Sequence, residues 1–282
     1  MKDLTFLSPK SLAEASDSLM AYDNARIIAG GTDLLLQMER KKIKPDCLID
    51  LSNITGMKQL NIKDGVLCLG AMTNIQSIHE SQLVKDAVPV LAEAAGHLGC
   101  WQVRNRATLG GNLANAAPSA EMAPPLIALG AKVKIFGPGG ERVLPLENFF
   151  KGPGSTEINR GELLVEVLVP LPEGNLFMKY LRHSLRRSMD IALVNAAVCF
   201  DYSNQVVKKA RVVLGAVAPT PIRAVKTETC IEGQKITSKF IEKAVEVSSG
   251  ECRPITDVRA TEFYRREIVG VLIRRALTQA LN

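Results

Sequence analysis

At 282 residues the chain is longer than one small core accommodates, and 46% hydrophobic with 23% charged residues is an ordinary globular composition that excludes disordered, fibrous and low-complexity classes. The formal net charge of +6 is mild and dispersed, and only 5% aromatic residues leave few stacking platforms, which argues against nucleic-acid binding. Two domains are the default expectation at this length.

The N-terminal MKDLTFLSPK sets Lys2, Asp3 and Lys10 around a very short apolar patch, which is not a signal-peptide core. SLAEASDSLMAY (11–22) opens with Ser11 and Glu14 at capping-box spacing and puts Leu12, Ala15 and Leu19 on one face, predicting a first helix. ARIIAGG (25–31) predicts a strand stopped by a glycine pair, and TDLLLQMERKK a helix capped by Thr32 or Asp33. CLIDLS (47–52) and VLCLGAMT (66–73) read as strands, followed by the helical NIQSIHES and AVPVLAEAAGHLG. Beyond residue 118, SAEMAPPLIALGA predicts a helix, AKVKIFG a strand, GPGG (137–140) a turn and ELLVEVLVP (162–170) another strand. LPEGN (171–175) marks a boundary. After it come two long strand-like runs, ALVNAAVCFDY and KKARVVLGAVAP, and two helices, FIEKAVEVSSGE and ATEFYRREIVGVLIRRALTQALN, the last with Ile268, Leu272, Ala276 and Leu277 on one stripe.

No stretch approaches the roughly 20 apolar residues of a membrane span. The six cysteines lie far apart with no CxxC pair, so zinc or iron-sulfur ligand spacing is missing and reduced thiols in a cytoplasmic protein are expected. There is no GxGxxG; GVLCLGAM has phosphate-loop glycine spacing but Ala71-Met72 in place of Lys-Ser/Thr; HESQL lacks the second histidine of a zincin; and no GxSxG elbow occurs.

What remains are two glycine pairs. Gly30-Gly31 precedes Thr32-Asp33, and Gly110-Gly111 precedes Asn112 inside ATLGGNLANAAPSAE (107–121), a stretch almost free of bulky side chains. Each pair alone makes a tight turn. Together, two loops that turn backbone N–H groups toward one point would grip an anionic, extended ligand such as a dinucleotide, and that ligand would supply the missing bulk. The basic runs Arg40 to Lys42, Arg182 to Arg187 and the arginine pairs at 265–266 and 274–275 are either solvated surface or a face for an acidic partner.

AGGTDLLLQ (29–37), QVRNRATLGGNLANAAPSAEMAP (102–124), KGPGSTEI (151–158), RRSMDIALVNAA (186–197) and GAVAPTPIRA (215–224) resemble, in order and nearly end to end, the flavin-binding medium subunit of the molybdenum hydroxylases, the family of xanthine and carbon monoxide dehydrogenases. The resemblance implies an α+β fold. A two-subdomain FAD-binding domain of the PCMH type would span 1–172, and a C-terminal domain with a small antiparallel sheet and helices would span 175–282. It implies an oxidoreductase subunit of an assembly of the xanthine dehydrogenase or purine hydroxylase type, which takes electrons from two-iron, two-sulfur (2Fe-2S) clusters of a small partner subunit, fed by a large molybdopterin subunit, and passes them to NAD or another acceptor.

By matching motif, Ile28, Ala29, Gly30, Gly31, Thr32, Asp33 and Leu34 would wrap the pyrophosphate, and Ala107, Thr108, Gly111, Asn112 and Asn115 would form the second wall. Glu121 falls where several relatives have Asp, near the ribityl or adenosine portion. Arg182, often Lys in the family, would lie at the isoalloxazine rim and there stabilise the reduced ring. Leu164 and Val165 are expected to touch the flavin ring, and Leu98 or Trp101 to shield it unless Trp101 is core. Arg186 and Asp190 either serve the motif or form a salt bridge at helical spacing. No histidine sits in either glycine loop, so FAD is expected to be non-covalent, and the scattered cysteines offer no place for the extra four-iron cluster of some relatives. A standalone flavoprotein with its own substrate pocket and a non-enzymatic cofactor carrier are the other readings.

Overall fold

The computed structural model describes residues 4–174, 176–203 and 206–281. Lys2 and Asp3 of the N-terminal patch, Asn175 of the boundary segment and Asn282 of the last helical run lie outside the described residues.

Thr5–Leu7 (β1), Leu12–Ala21 (α1), Ala25–Ile28 (β2), Leu34–Glu39 (α2) and Cys47–Asp50 (β3) build a small parallel sheet in the order β1-β3-β2. Ser11 caps α1 as the sequence predicts, accepting from the Glu14 N–H at 3.1 Å. The Glu14 carboxylate returns to the Lys10 N–H at 2.7 Å, so the cap closes one residue earlier than a capping box would.

The second unit comprises Leu60–Lys63 (β4), Val66–Gly70 (β5), Ile75–Glu80 (α3), Gln82–Ala87 (α4), Pro89–His97 (α5), Trp101–Arg106 (α6), Leu109–Ala114 (α7) and Ala123–Ala128 (α8). Lys132–Gly137 (β6), Gly140–Pro145 (β7), Phe150–Gly152 (β8), Ser155–Thr156 (β9) and Leu163–Pro170 (β10) complete it. Its antiparallel sheet runs β4-β5-β10-β6-β7, with β8 and β9 as a separate short hairpin. β4 and β7, unpredicted from sequence, are the edge strands; one face of each meets solvent, so their apolar pattern is thin. The helix expected over SAEMAPPLIALGA is confined to α8, where Pro124 and Pro125 fit the first turn.

Leu176–His183 (β11), Val194–Ser203 (β12), Val206–Gly215 (β13) and Ile222–Arg223 (β14) form the antiparallel sheet of the C-terminal unit, followed by Val225–Ile231 (α9), Ser238–Glu251 (α10) and Glu262–Gln279 (α11). This sheet is covered on both faces. Val194, Ala196, Val198 and Phe200 of β12 pack into the core beneath the C-terminal helices, while Ala197 and Cys199 point into the core of the N-terminal unit. Burial on both faces is why VNAAVCF reads as an unbroken apolar run rather than an alternating one.

Candidate functional site

The units enclose a cleft of about 1200 Å³. Its first wall begins where β2 ends. Residues 29–34 turn back into α2, with Gly31 at φ +73°, a left-handed conformation that suits glycine. Gly30 passes so close to the end of α6 that a Cβ there would stand 2.0 Å from the Arg106 carbonyl oxygen. The turn is thereby seated on the second unit. The backbone N–H groups of residues 30–33 have no acceptor among the described residues; 30–32 are half-buried and Asp33 is exposed, so these donors are left for water or a ligand in the cleft. Asp33 stands at the N-cap of α2 but makes no side-chain cap, and Thr32 makes none either, contrary to the sequence expectation.

The second wall differs from expectation. Gly110 and Gly111 do not form a loop; they lie within α7, and neither has a left-handed backbone. Thr108 caps that helix by accepting from the Gly111 N–H at 3.1 Å, and the Gly110 N–H donates to the Ala71 carbonyl at 2.8 Å. A Cβ on Gly110 would meet the Ala71 Cβ at 2.6 Å and its carbonyl oxygen at 2.8 Å, so this glycine exists to bring α7 against the end of β5. Both amides are therefore used inside the protein. Gly111, by contrast, turns its open side to the cleft, where only Thr108 Oγ1 lies near a virtual Cβ. Farther along, Asn112 Oδ1 accepts from the Met122 N–H at 3.4 Å, and Asn115 Oδ1 accepts from Gln37 Nε2 at 3.4 Å, linking this wall to α2.

Of the residues expected at the site, Ala29 to Leu34 and Ala107, Thr108, Gly111, Asn112, Asn115, Glu121 and Leu164 all line this one cleft. Ile28 lines a smaller adjoining groove instead, together with Ala29 and Gly30. Val165 does not line the cleft; its carbonyl accepts from the Ala71 N–H at 2.8 Å. Leu98 lines it, but Trp101 is neither shield nor core: it is 58% exposed at the start of α6. Arg186 and Asp190 form an ion pair at 3.6 Å, in a segment that is not helical despite their spacing. Met189 and Ile191 of that segment join Asp190 in lining the cleft, a contribution from the C-terminal unit that no local pattern announced.

Among the described residues Glu121 is the one buried carboxyl of the cleft wall. Its Oε1 pairs with Arg182 Nε at 2.9 Å, and its Oε2 accepts from the Tyr180 hydroxyl and from Asn195 Nδ2 at 3.4 Å. Burial pushes the carboxyl up to about 7 against the opposing pull of Arg182 and of these hydrogen bonds. Arg182 is thus not at the cleft surface. Its side chain is 3% exposed, backs Glu121, and also donates to the Asp190 carbonyl. The residue expected at the isoalloxazine rim is therefore not among those that line the cleft, and it stands behind Glu121. Tyr180 and Asn195 escaped sequence reading because their role exists only once β11 and β12 pair, with Arg182 opposite Asn195.

A family described as the FAD binding domain in molybdopterin dehydrogenase matches residues 2–172, more than half of the chain, and the CO dehydrogenase flavoprotein C-terminal domain matches residues 179–280. The chain is 29% identical to the glyceraldehyde dehydrogenase medium chain of Sulfolobus acidocaldarius, covering 98% of each. It is 28% identical to the xanthine dehydrogenase FAD-binding subunit of Escherichia coli, covering 96% of this chain and 94% of that one. In structure it is similar to a carbon monoxide dehydrogenase from Hydrogenophaga pseudoflava that lacks the Mo-pyranopterin moiety of its cofactor, with a TM-score of 0.95 at 31% identity over 98% of this chain and 96% of that one. With both domains matched in order and the cleft lying between the matched motifs, the chain belongs to the family of FAD-binding medium subunits of the molybdopterin dehydrogenases.

Proposed function

We propose that this chain is the electron outlet of a molybdenum hydroxylase assembly, holding non-covalent FAD and passing electrons from the 2Fe-2S clusters of a small subunit to NAD or another acceptor. A large molybdopterin subunit completes the assembly. The observation that carries the reading is the first wall: the acceptor-free amides of residues 30–33 border a cleft of about 1200 Å³ in a member of an FAD-binding family. An anionic pyrophosphate is the natural acceptor for such donors. In this reading Gly30, Gly31, Thr32 and Asp33 hold the pyrophosphate by their backbone, Ile28 and Leu34 flank them, and Thr108, Gly111, Asn112 and Asn115 shape the opposite wall without donating the second pair's amides. Ala107, Glu121 and Leu164 complete the lining, and Arg182 acts through Glu121. FAD, when bound, supplies the redox chemistry; the chain's tasks are to bind it, orient it and exclude water.

The exposed Met189 and Ile191 at the cleft support docking of a partner there. We assign the units as 1–172 and 175–282 and the setting as cytoplasmic, which the six free cysteines support; no described helix is long and apolar enough to cross a membrane. The relatives named for glyceraldehyde, xanthine and carbon monoxide match this chain almost equally, so the substrate, whether a purine or another, is chosen by another subunit.

The test is the visible absorption spectrum of the purified chain, with the chromophore released by heat and identified by chromatography. Stoichiometric FAD is expected, with molybdopterin and iron-sulfur subunits recovered on co-purification. A colourless chain that also fails to take up added FAD overturns the reading.

A further inference from the structure

The C-terminal unit contributes more than a backing layer. Glu121 sits in the irregular stretch between α7 and α8, yet every side chain that holds its carboxyl comes from the C-terminal sheet. Tyr180 and Arg182 are two residues apart on β11 and therefore share a face, and Asn195 stands opposite Arg182 on β12. The two carboxyl oxygens are divided between them. Oε1 belongs to Arg182, and Oε2 has the Tyr180 hydroxyl and the longer Asn195 contact at 3.4 Å. The Tyr180 side chain is fixed in turn: it is 1% exposed, its backbone N–H donates to Glu93 at 3.2 Å, and its ring lies 5.9 Å from that of His97.

We infer that Tyr180 is a positioning residue for the FAD cleft: by donating a hydrogen bond from its phenol to Glu121 it fixes that carboxyl in the cleft wall and sets the pH at which the protonation of Glu121 changes FAD affinity. The inference rests on the FAD reading above. Tyr180 remains a donor throughout, because burial holds its phenol well above the ordinary tyrosine value. Glu121, at about 7, changes charge in the neutral range. The other charged groups around the cluster are Arg182, Glu93, Lys179, Asp190 and His97. Lys179 pairs with Glu93 at 2.7 Å and Asp190 pairs with Arg186, while desolvation and the Arg182 charge hold the His97 ring below its ordinary value.

The experiment is a fluorescence titration of the full chain, stripped of cofactor, with FAD from pH 5.5 to 9, comparing wild type with Tyr180→Phe and Glu121→Gln. Wild type should show an inflection in FAD affinity near neutral pH, and Glu121→Gln should lack it. Losing a hydrogen bond to the charged form should move the inflection in Tyr180→Phe upward by about one pH unit, whichever protonation state binds FAD more tightly. A structural role alone would lower affinity equally at every pH and leave the inflection in place, which overturns the inference. If Tyr180→Phe does not fold, a carbon-13 titration of the Glu121 carboxyl in wild type, assigned with Glu121→Gln, decides. A midpoint displaced by added FAD supports the coupling, and one unmoved by bound FAD overturns it. Failure to bind FAD at any pH overturns the FAD reading itself; binding without an inflection overturns only this inference.

Discussion

Gly30-Gly31 and Gly110-Gly111 look alike in the sequence, each a glycine pair next to a hydrogen-bonding residue, and they border the same cleft, yet they solve different problems. The first pair is a turn whose amides are left without acceptors and whose second glycine needs a left-handed backbone. The second lies in a helix; one amide is taken by Ala71 and the other by Thr108, and Gly110 lacks a side chain so that two backbones can touch. One pair exposes donors and the other removes bulk. A run of small residues therefore signals close approach of something, and only the packing tells whether that something is a ligand or another part of the chain.

The contrast can be broken most forcefully at Gly30. A methyl placed 2.0 Å from the Arg106 carbonyl oxygen displaces backbone, so Gly30→Ala should cost roughly 3 kcal/mol or more of stability, beyond ordinary overpacking, and lose most FAD affinity. Thermal unfolding of the apo chain and FAD titration check this; unchanged affinity would separate the first turn from the cofactor.

The Glu121 end of the second wall predicts a pH effect of similar size. Its folded value of about 7 lies above the ordinary 4.5, so the folded state binds the proton more tightly. The stability this gives is fully present below about 4.5 and is lost as pH rises toward 7, a total of about 3 kcal/mol. Apo wild type should lose melting temperature between pH 5 and 7 more steeply than Glu121→Gln, and parallel curves would remove the raised value.

Gly110→Ala sharpens the comparison. The methyl would press on Ala71, costing about 2 kcal/mol even after the helix-propensity gain. With no free amide lost, FAD affinity should fall less than in Gly30→Ala, as paired melting and titration data would show. Gly111→Ala has the smallest expected effect. Its Cβ would stand 2.9 Å from the Thr108 hydroxyl that caps α7, so the cost of shifting that cap and the helix-propensity gain should offset to within roughly 1 kcal/mol, while a methyl on the cleft side weakens FAD binding severalfold. Equal affinity in this variant would mean that the ligand does not lie against α7.

Much of the site was legible as sequence because its parts are local. A strand that stops at Gly30-Gly31 and the capping of α1 by Ser11 depend on residues a few positions apart, and so they can be read in order along the chain. Motif matching added Glu121 and Leu164, which do line the cleft, and Arg182, which does not. Two failures share one cause: Gly110-Gly111 as a loop and Arg182 at the flavin rim each turned on a partner far away in sequence, Ala71 for the first and Glu121 for the second. Trp101 as core and Thr32 or Asp33 as a helix cap failed differently, since Trp101 stays exposed and neither side chain caps α2.

The sequence by itself determined the element types, the turn at the end of β2 and the family, because backbone conformation and hydrophobic period are set by near neighbours. Tertiary structure alone decided which amides stay free, that Gly111 lies open to the cleft while Gly110 presses on Ala71, and that Glu121 is held by Tyr180, Arg182 and Asn195 from 59 to 74 residues away. Those outcomes follow from desolvation and close packing, which act between whatever surfaces the fold brings together.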